Sequence, residues 1–234
     1  MAAVKNSYYD RTSEENMTSE KKIFIIGLPR TGTTSVCAAM LSLGYKVAHT
    51  AYTDKTFENA EVIADTPIFC DYQHLDNAYP NAKFIYLERS LDKWLPSIQQ
   101  LLLRMHNNLA RDDGGFNPII KRCYLATFAP YSLENINSLE FLTTCYQRHF
   151  AQAQQYFQQR KEDFLSIDIS AQNSFKQLIK FLELEEDSLT TTTFEKLNVG
   201  GKVTAWKDIK SDLKIDSTNK GRVTKLPYSL EKQS

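Results

Sequence analysis

The sequence predicts an α/β fold, a three-layer arrangement in which a central parallel sheet is flanked by helices. Three observations carry this. The apolar run at 23–26 is continuous, as expected of a strand buried on both faces, and 83–88 and 164–169 read as a second and third strand. Amphipathic stretches separate them, and strands alternating with helices imply parallel pairing. A glycine-containing turn, from Gly27 to Thr34, joins the first strand to the first helix.

The elements follow in order. Residues 1–20 are polar, mixed in charge and without periodicity, and read as a flexible leader; residues 21–234 then form a single domain. After the first strand, residues 33–43 place Val36, Ala39, Met40 and Leu43 on one helical face, with Gly44 as C-cap. Residues 46–49 suit a short strand. Residues 58–64 lead into Asp65-Thr66-Pro67, where proline forces an extended or turning backbone. Tyr79-Pro80-Asn81 announces the strand at 83–88, and residues 91–105 follow as a helix with an apolar stripe that includes Trp94 and Leu95. Residues 107–117, with Asp112-Asp113-Gly114-Gly115, read as a loop able to act as a lid, and 119–131 as aromatic and irregular. Residues 138–159 form a long Gln-rich helix, 164–169 a strand and 175–182 a helix. Helical residues at about 107–160 form an insertion in this scheme. The tail after Glu185 has little periodicity.

Composition narrows the function. The 234 residues are 42% hydrophobic, enough to fill the core of one domain. Lysine plus arginine number 28 against 28 acidic residues, which argues against a nucleic-acid binder while leaving room for a local basic pocket. Cys37, Cys70, Cys123 and Cys145 show no zinc-like spacing and read as reduced packing residues, with no metal site. No stretch has the length of a membrane span or a signal h-region, so a cytoplasmic protein without a membrane partner is expected.

The turn between the first strand and helix is the most informative segment. Gly27 and Gly32 in Gly27-Leu28-Pro29-Arg30-Thr31-Gly32-Thr33-Thr34 let the backbone wrap an anion, and helix-start amides with the threonine hydroxyls can donate to phosphate oxygens. Loops that hold a nucleoside triphosphate carry lysine directly after the second glycine. Here Thr33 stands in that place and Arg30 is the cation of the loop.

This segment resembles the 5′-phosphosulfate loop of sulfotransferases that use 3′-phosphoadenylyl sulfate (PAPS), in its Pro-Arg form. The segment from Tyr79 to Ser97 is similar to the family's second anchor, an arginine after a strand and a serine on the next helix, here Arg89 and Ser97. The resemblance implies a P-loop-like fold with Arg30, Thr31, Gly32, Thr33 and Thr34 around the 5′-phosphosulfate. It also implies Arg89 and Ser97 at the 3′-phosphate, and no required metal. It implies sulfuryl transfer to a hydroxyl of a small-molecule or carbohydrate acceptor.

The family places a catalytic base near Asp65; the other reading of Asp65 is a cap for the turn before Pro67. His49 is the second candidate base. Asp168, at the end of a strand, reads as structural, and His74, His106 and His149 fall on predicted helices without assigned chemistry. A late loop that returns to the 3′-phosphate is approximated by Lys220, Gly221 and Arg222, or by Gly200-Gly201-Lys202; a solvated basic tail is the alternative. Phe116, Tyr124, Phe128 and Tyr131 either line the acceptor site or pack the insertion. Two other functions stay open: a small-molecule kinase using ATP and magnesium, and a nucleotide-binding protein of this fold without catalysis.

Overall fold

The computed structural model describes residues 21–185, 193–194, 198–199, 202–203 and 205–230. Five parallel strands, β1 (Ile23–Ile25), β2 (Val47–Ala48), β3 (Val62–Ala64), β4 (Lys83–Glu88) and β5 (Phe164–Asp168), form one sheet in the order β2-β3-β1-β4-β5. β1 is central, with Ile23 level with Val62 on one side and Lys83 on the other. A short antiparallel pair, β6 (Asn198–Val199) and β7 (Lys202–Val203), stands apart.

The alternation of side chains along the strands builds two cores. Phe24, Ile26, Phe84 and Tyr86 face one way and meet Ile68, Tyr72 and Leu75 of α3 (Ile68–Ala78) and Ala153 and Phe157 of α7 (Leu139–Phe157). Ile23, Ile25, Ile85 and Leu87 face the other way and meet Val36, Cys37 and Met40 of α1 (Thr33–Ser42) and Leu178 of α8 (Ser174–Phe181). A residue buried between two helix layers gains hydrophobic free energy whichever way it points, so these strands are apolar throughout. The expected three-layer architecture is the one observed.

A third cluster joins α4 (Leu91–Ala110), α5 (Pro118–Thr127), α6 (Leu133–Asn137) and α7. Trp94, Ile98, Leu102, Cys123, Phe128, Leu142 and Tyr146 pack together there, with Leu28 of the glycine turn among them. The remaining helix, α2 (Asp54–Asn59), begins at Thr53, whose side chain accepts from the Thr56 amide.

Two expectations need correction. Residues 107–110 are helical rather than loop, because α4 continues until Leu109 is buried in the third cluster. Residues 118–127 form a regular helix rather than an irregular segment. Asn117 caps it by accepting from the Ile120 amide at 2.9 Å, and Pro118 occupies its first turn. Gly44, with φ 90°, does end α1: the Tyr45 amide reaches back to the Met40 carbonyl at 3.1 Å.

The described part of the tail is a strap rather than a free end. Lys214 bridges Val47 in parallel sense at the outer edge of β2, and residues 217 and 224 hydrogen-bond Tyr52 on both sides, Tyr52 donating to the Ser217 carbonyl at 2.9 Å and accepting from Thr224 at 3.0 Å. Tyr228 is buried beyond, against Phe57, and donates to Asp71 Oδ2 at 2.8 Å.

Candidate functional site

The carboxyl ends of the strands gather the chemistry. From β1 the chain turns toward β2; from β4 it turns toward β5, so the crevice between β1 and β4 is where the connections diverge. Ligands of open parallel sheets occupy that position. The turn from Gly27 to Thr34 and the residue after β4, Arg89, flank it.

Backbone geometry explains the glycines. A Cβ at Gly27 would come within 2.6 Å of Leu87 Cβ and 2.8 Å of the Leu87 amide, so only glycine lets the turn leave β1 beside β4. Gly32, at φ 109°, caps α1 without a side-chain bond, and the first amides of α1 have no acceptor within the helix. Thr31 stabilises the turn internally, its hydroxyl donating to the Leu28 carbonyl at 2.7 Å. Arg30 and Asp65 have φ of 73° and 50°, a conformation that non-glycine residues seldom hold.

Arg30, Arg89 and Ser97 form a single network. Arg30 Nε donates to Ser97 Oγ at 2.8 Å, and Arg89 Nη1 donates to the Arg30 carbonyl at 2.5 Å. The frame behind them is rigid. Trp94 is fully buried and donates from Nε1 to the Pro29 carbonyl at 3.0 Å, while the Arg89 amide donates to the Tyr146 hydroxyl at 2.9 Å. The Trp94 and Tyr146 rings lie 4.8 Å apart. Trp94 thus does more than pack.

The electrostatics favour an anion here. Burial lowers the Arg30 pKa, and the neighbouring charges of Arg104 and then Arg89 lower it further, against weaker help from Tyr124 and Asp65. Among the described residues, no carboxylate forms an ion pair with these three arginines. Clustered cations repel, and a bound phosphate or sulfate would relieve that cost. The donor set suits a phosphate or sulfate oxyanion: permanently charged planar forks, hydroxyls and helix-start amides.

On the other side of the crevice lie Asp65, after β3, and His49, after β2. Asp65 Oδ1 accepts from the Thr66 hydroxyl at 3.0 Å, and its charge reaches Arg30, His49, Tyr52 and Tyr124. His49 Nε2 is 3.4 Å from Thr33 Oγ1 and 3.1 Å from Thr34 Oγ1. Burial holds the His49 pKa below its ordinary value; Asp65 opposes this and the charge of Lys214 adds to it. The His49 ring faces Trp206 at 5.4 Å, and Lys214, above that indole, donates to the Trp206 and Ile209 carbonyls at 2.7 and 2.8 Å.

Lys220 and Gly221 form the exposed two-residue tip of a hairpin closed by reciprocal bonds between Asn219 and the exposed Arg222 at 3.0 Å. Its stem is anchored beside β2. Val223, the residue after Arg222, packs against the cluster that holds Leu28 of the glycine turn with Trp94 and Ile98 of α4. Gly200 and Gly201 lie outside the described residues. Of the four aromatics considered for an acceptor site, Tyr124 reaches Asp65 and Arg30, whereas Phe128 is fully buried and Tyr131 stacks on His106. Asp168 closes a local turn, accepting from the Ser170 amide and hydroxyl at 2.8 and 2.7 Å.

Arg104, Tyr52, Trp206 and Lys214 were not anticipated. Arg104 had a signal: it is two helical turns beyond Ser97 and so shares its face of α4. Trp206 and Lys214 had none, since only the tail's return brings them to His49. Away from the site, Cys70, Asp71 and Cys123 place three potential metal-ligand atoms within 4.8 Å of one another. The Asp71 carboxylate is engaged there by Arg122 at 2.7 and 2.6 Å.

Fold and site together define a parallel α/β protein with a cationic crevice at the carboxyl edge of its sheet. The sulfotransferase-domain family matches residues 22–53 and 49–203, and the chain belongs to that family. No curated protein matches the chain in sequence. Among the described residues, no helix is long and apolar enough to cross a membrane.

Proposed function

We propose that this protein transfers a sulfuryl group from PAPS to a hydroxyl of a small-molecule or carbohydrate acceptor, releasing 3′-phosphoadenosine 5′-phosphate, without a metal. The observation that carries the reading is the arginine network at the β1–β4 crevice. It offers charge for two phosphate positions and lacks the loop lysine that a triphosphate requires.

In this reading the turn from Arg30 to Thr34 holds the 5′-phosphosulfate, and Arg89 with Ser97 holds the 3′-phosphate. Arg30 stabilises the negative charge that grows on the departing phosphate oxygen. Asp65 takes the proton of the acceptor hydroxyl. His49, neutral near pH 7 because its pKa is held down, keeps the Thr33 and Thr34 hydroxyls oriented. Lys220, Gly221 and Arg222 are the late loop that returns to the 3′-phosphate in this reading.

Calorimetry tests the nucleotide assignment. 3′-Phosphoadenosine 5′-phosphate binds in the absence of metal, at least ~10-fold tighter than ADP or ATP, consistent with about 1.4 kcal/mol from one added charged hydrogen bond. Arg89→Ala abolishes that preference. Tighter, magnesium-dependent binding of ATP would mean a kinase instead. Binding without turnover over a broad acceptor panel would mean a non-catalytic relative.

A further inference from the structure

Cys70 and Cys123 are distant in sequence, yet α3 and α5 bring their sulfurs within 4.8 Å of each other. Arg122 Nη1 approaches the Cys70 sulfur at 3.8 Å. Their surroundings differ. Cys123 is buried, whereas Cys70 is half-buried and lines a solvent-open cavity of about 670 Å³ with Tyr72, Gln73, His74 and Arg148. The Cys123 thiol, against burial and the Asp71 charge and with help from the Arg122 guanidinium, holds the Cys70 thiol below its ordinary pKa. Cys70 in turn, and burial, push Cys123 up. One sulfur is therefore accessible from the cavity beside a guanidinium, and the other lies buried behind it, the arrangement of an attacking and a resolving thiol.

The nearby carboxylate does not turn the pair into a cation site. Both Asp71 oxygens already pair with Arg122, and Oδ2 also accepts from Tyr228, so a positive charge occupies the position next to the sulfurs. Cys37, by contrast, is buried, with its thiol pushed up by burial, and has no sulfur partner among the described residues.

We propose that Cys70 and Cys123 are a modification site that closes to a reversible disulfide on exposure to hydrogen peroxide. The Cys70 thiolate attacks one peroxide oxygen, the O–O bond breaks, and the departing hydroxide takes up a proton to leave as water. The Cys123 sulfur then attacks the resulting sulfenic sulfur, the S–O bond breaks, and hydroxide leaves with the Cys123 proton as a second water. Two thiols lose two electrons and peroxide gains them. The bond ties the first turn of α3 to α5 one residue from Tyr124, beside the candidate site.

The test uses the full chain and does not depend on transferase activity. The protein is treated with peroxide, denatured, alkylated and analysed by intact mass and peptide mapping. Two of the four cysteines resist alkylation, a Cys70–Cys123 linked peptide appears, and dithiothreitol restores all four. Cys123→Ser leaves Cys70 as a sulfenic acid captured by dimedone, Cys70→Ser prevents the loss of thiols, and Cys37→Ala changes nothing. The proposal fails if all four thiols of the unmodified protein stay alkylatable, or if the linked peptide contains Cys37 or Cys145. A stable sulfinic acid at Cys70 in place of the link overturns it equally.

Discussion

Arg30 concentrates the residue-scale argument. Its φ of 73°, its bond to Ser97 and its position between Arg89 and Asp65 fix one side chain in a crevice where its charge is costly until an anion arrives. Preorganised charge of this kind is worth about 3 kcal/mol of transition-state stabilisation, so Arg30→Ala lowers turnover ~10²-fold in steady-state assays while circular dichroism is unchanged. His149 offers a different kind of test. Its ring is buried, and because Nε2 lies 2.7 Å from the Phe69 carbonyl, that nitrogen carries the proton and Nδ1 accepts from Tyr86 at 3.0 Å. Burial pushes its pKa down to about 4. The unfolded chain, with an ordinary histidine, binds the extra proton between about pH 6.5 and pH 4, so stability rises with pH through that window and is lost as pH falls. The contribution is about 3 kcal/mol, read as a drop in the urea midpoint between pH 7 and pH 4 that His149→Gln largely removes.

Among the elements, β1, its turn and α1 were legible because each left a local mark: a buried apolar run, glycines at a sharp exit and a 3.6-residue stripe. Arg89 and Ser97 were picked out by the resemblance of 79–97 to the family's second anchor, and the structure joins both to Arg30. α5 was not read, although Ile119, Cys123 and Tyr124 share its buried face and the Asn117-Pro118 start was a readable cue. The contact between Cys70 and Cys123, and that between His49 and Trp206, join distant segments and leave no periodic trace. α4 bridges the two cases. Its stripe foretold burial of Trp94, but not the hydrogen bond that ties the indole to the Pro29 carbonyl of the turn. Trp94→Phe keeps an aromatic ring and orphans that buried carbonyl, which costs about 2 kcal/mol in denaturant unfolding. It also weakens binding of 3′-phosphoadenosine 5′-phosphate, measured by calorimetry.

For the molecule as a whole, the tail decides whether the β2 side of the crevice is complete. Tyr228 anchors it through two separable interactions, a buried ring against Phe57 and a hydrogen bond to Asp71. Tyr228→Phe loses the hydrogen bond alone, about 1 kcal/mol, whereas Tyr228→Ala also opens a cavity and costs about 3–5 kcal/mol in thermal or urea unfolding. The bridge of Lys214 to Val47 carries a further consequence for biogenesis. During synthesis β2 emerges early and stays an open sheet margin, ready to pair with another chain, until residues near 214 have left the ribosome. Any delay between those two moments is the interval in which a newly made copy is exposed to clumping, and chaperone demand should concentrate there.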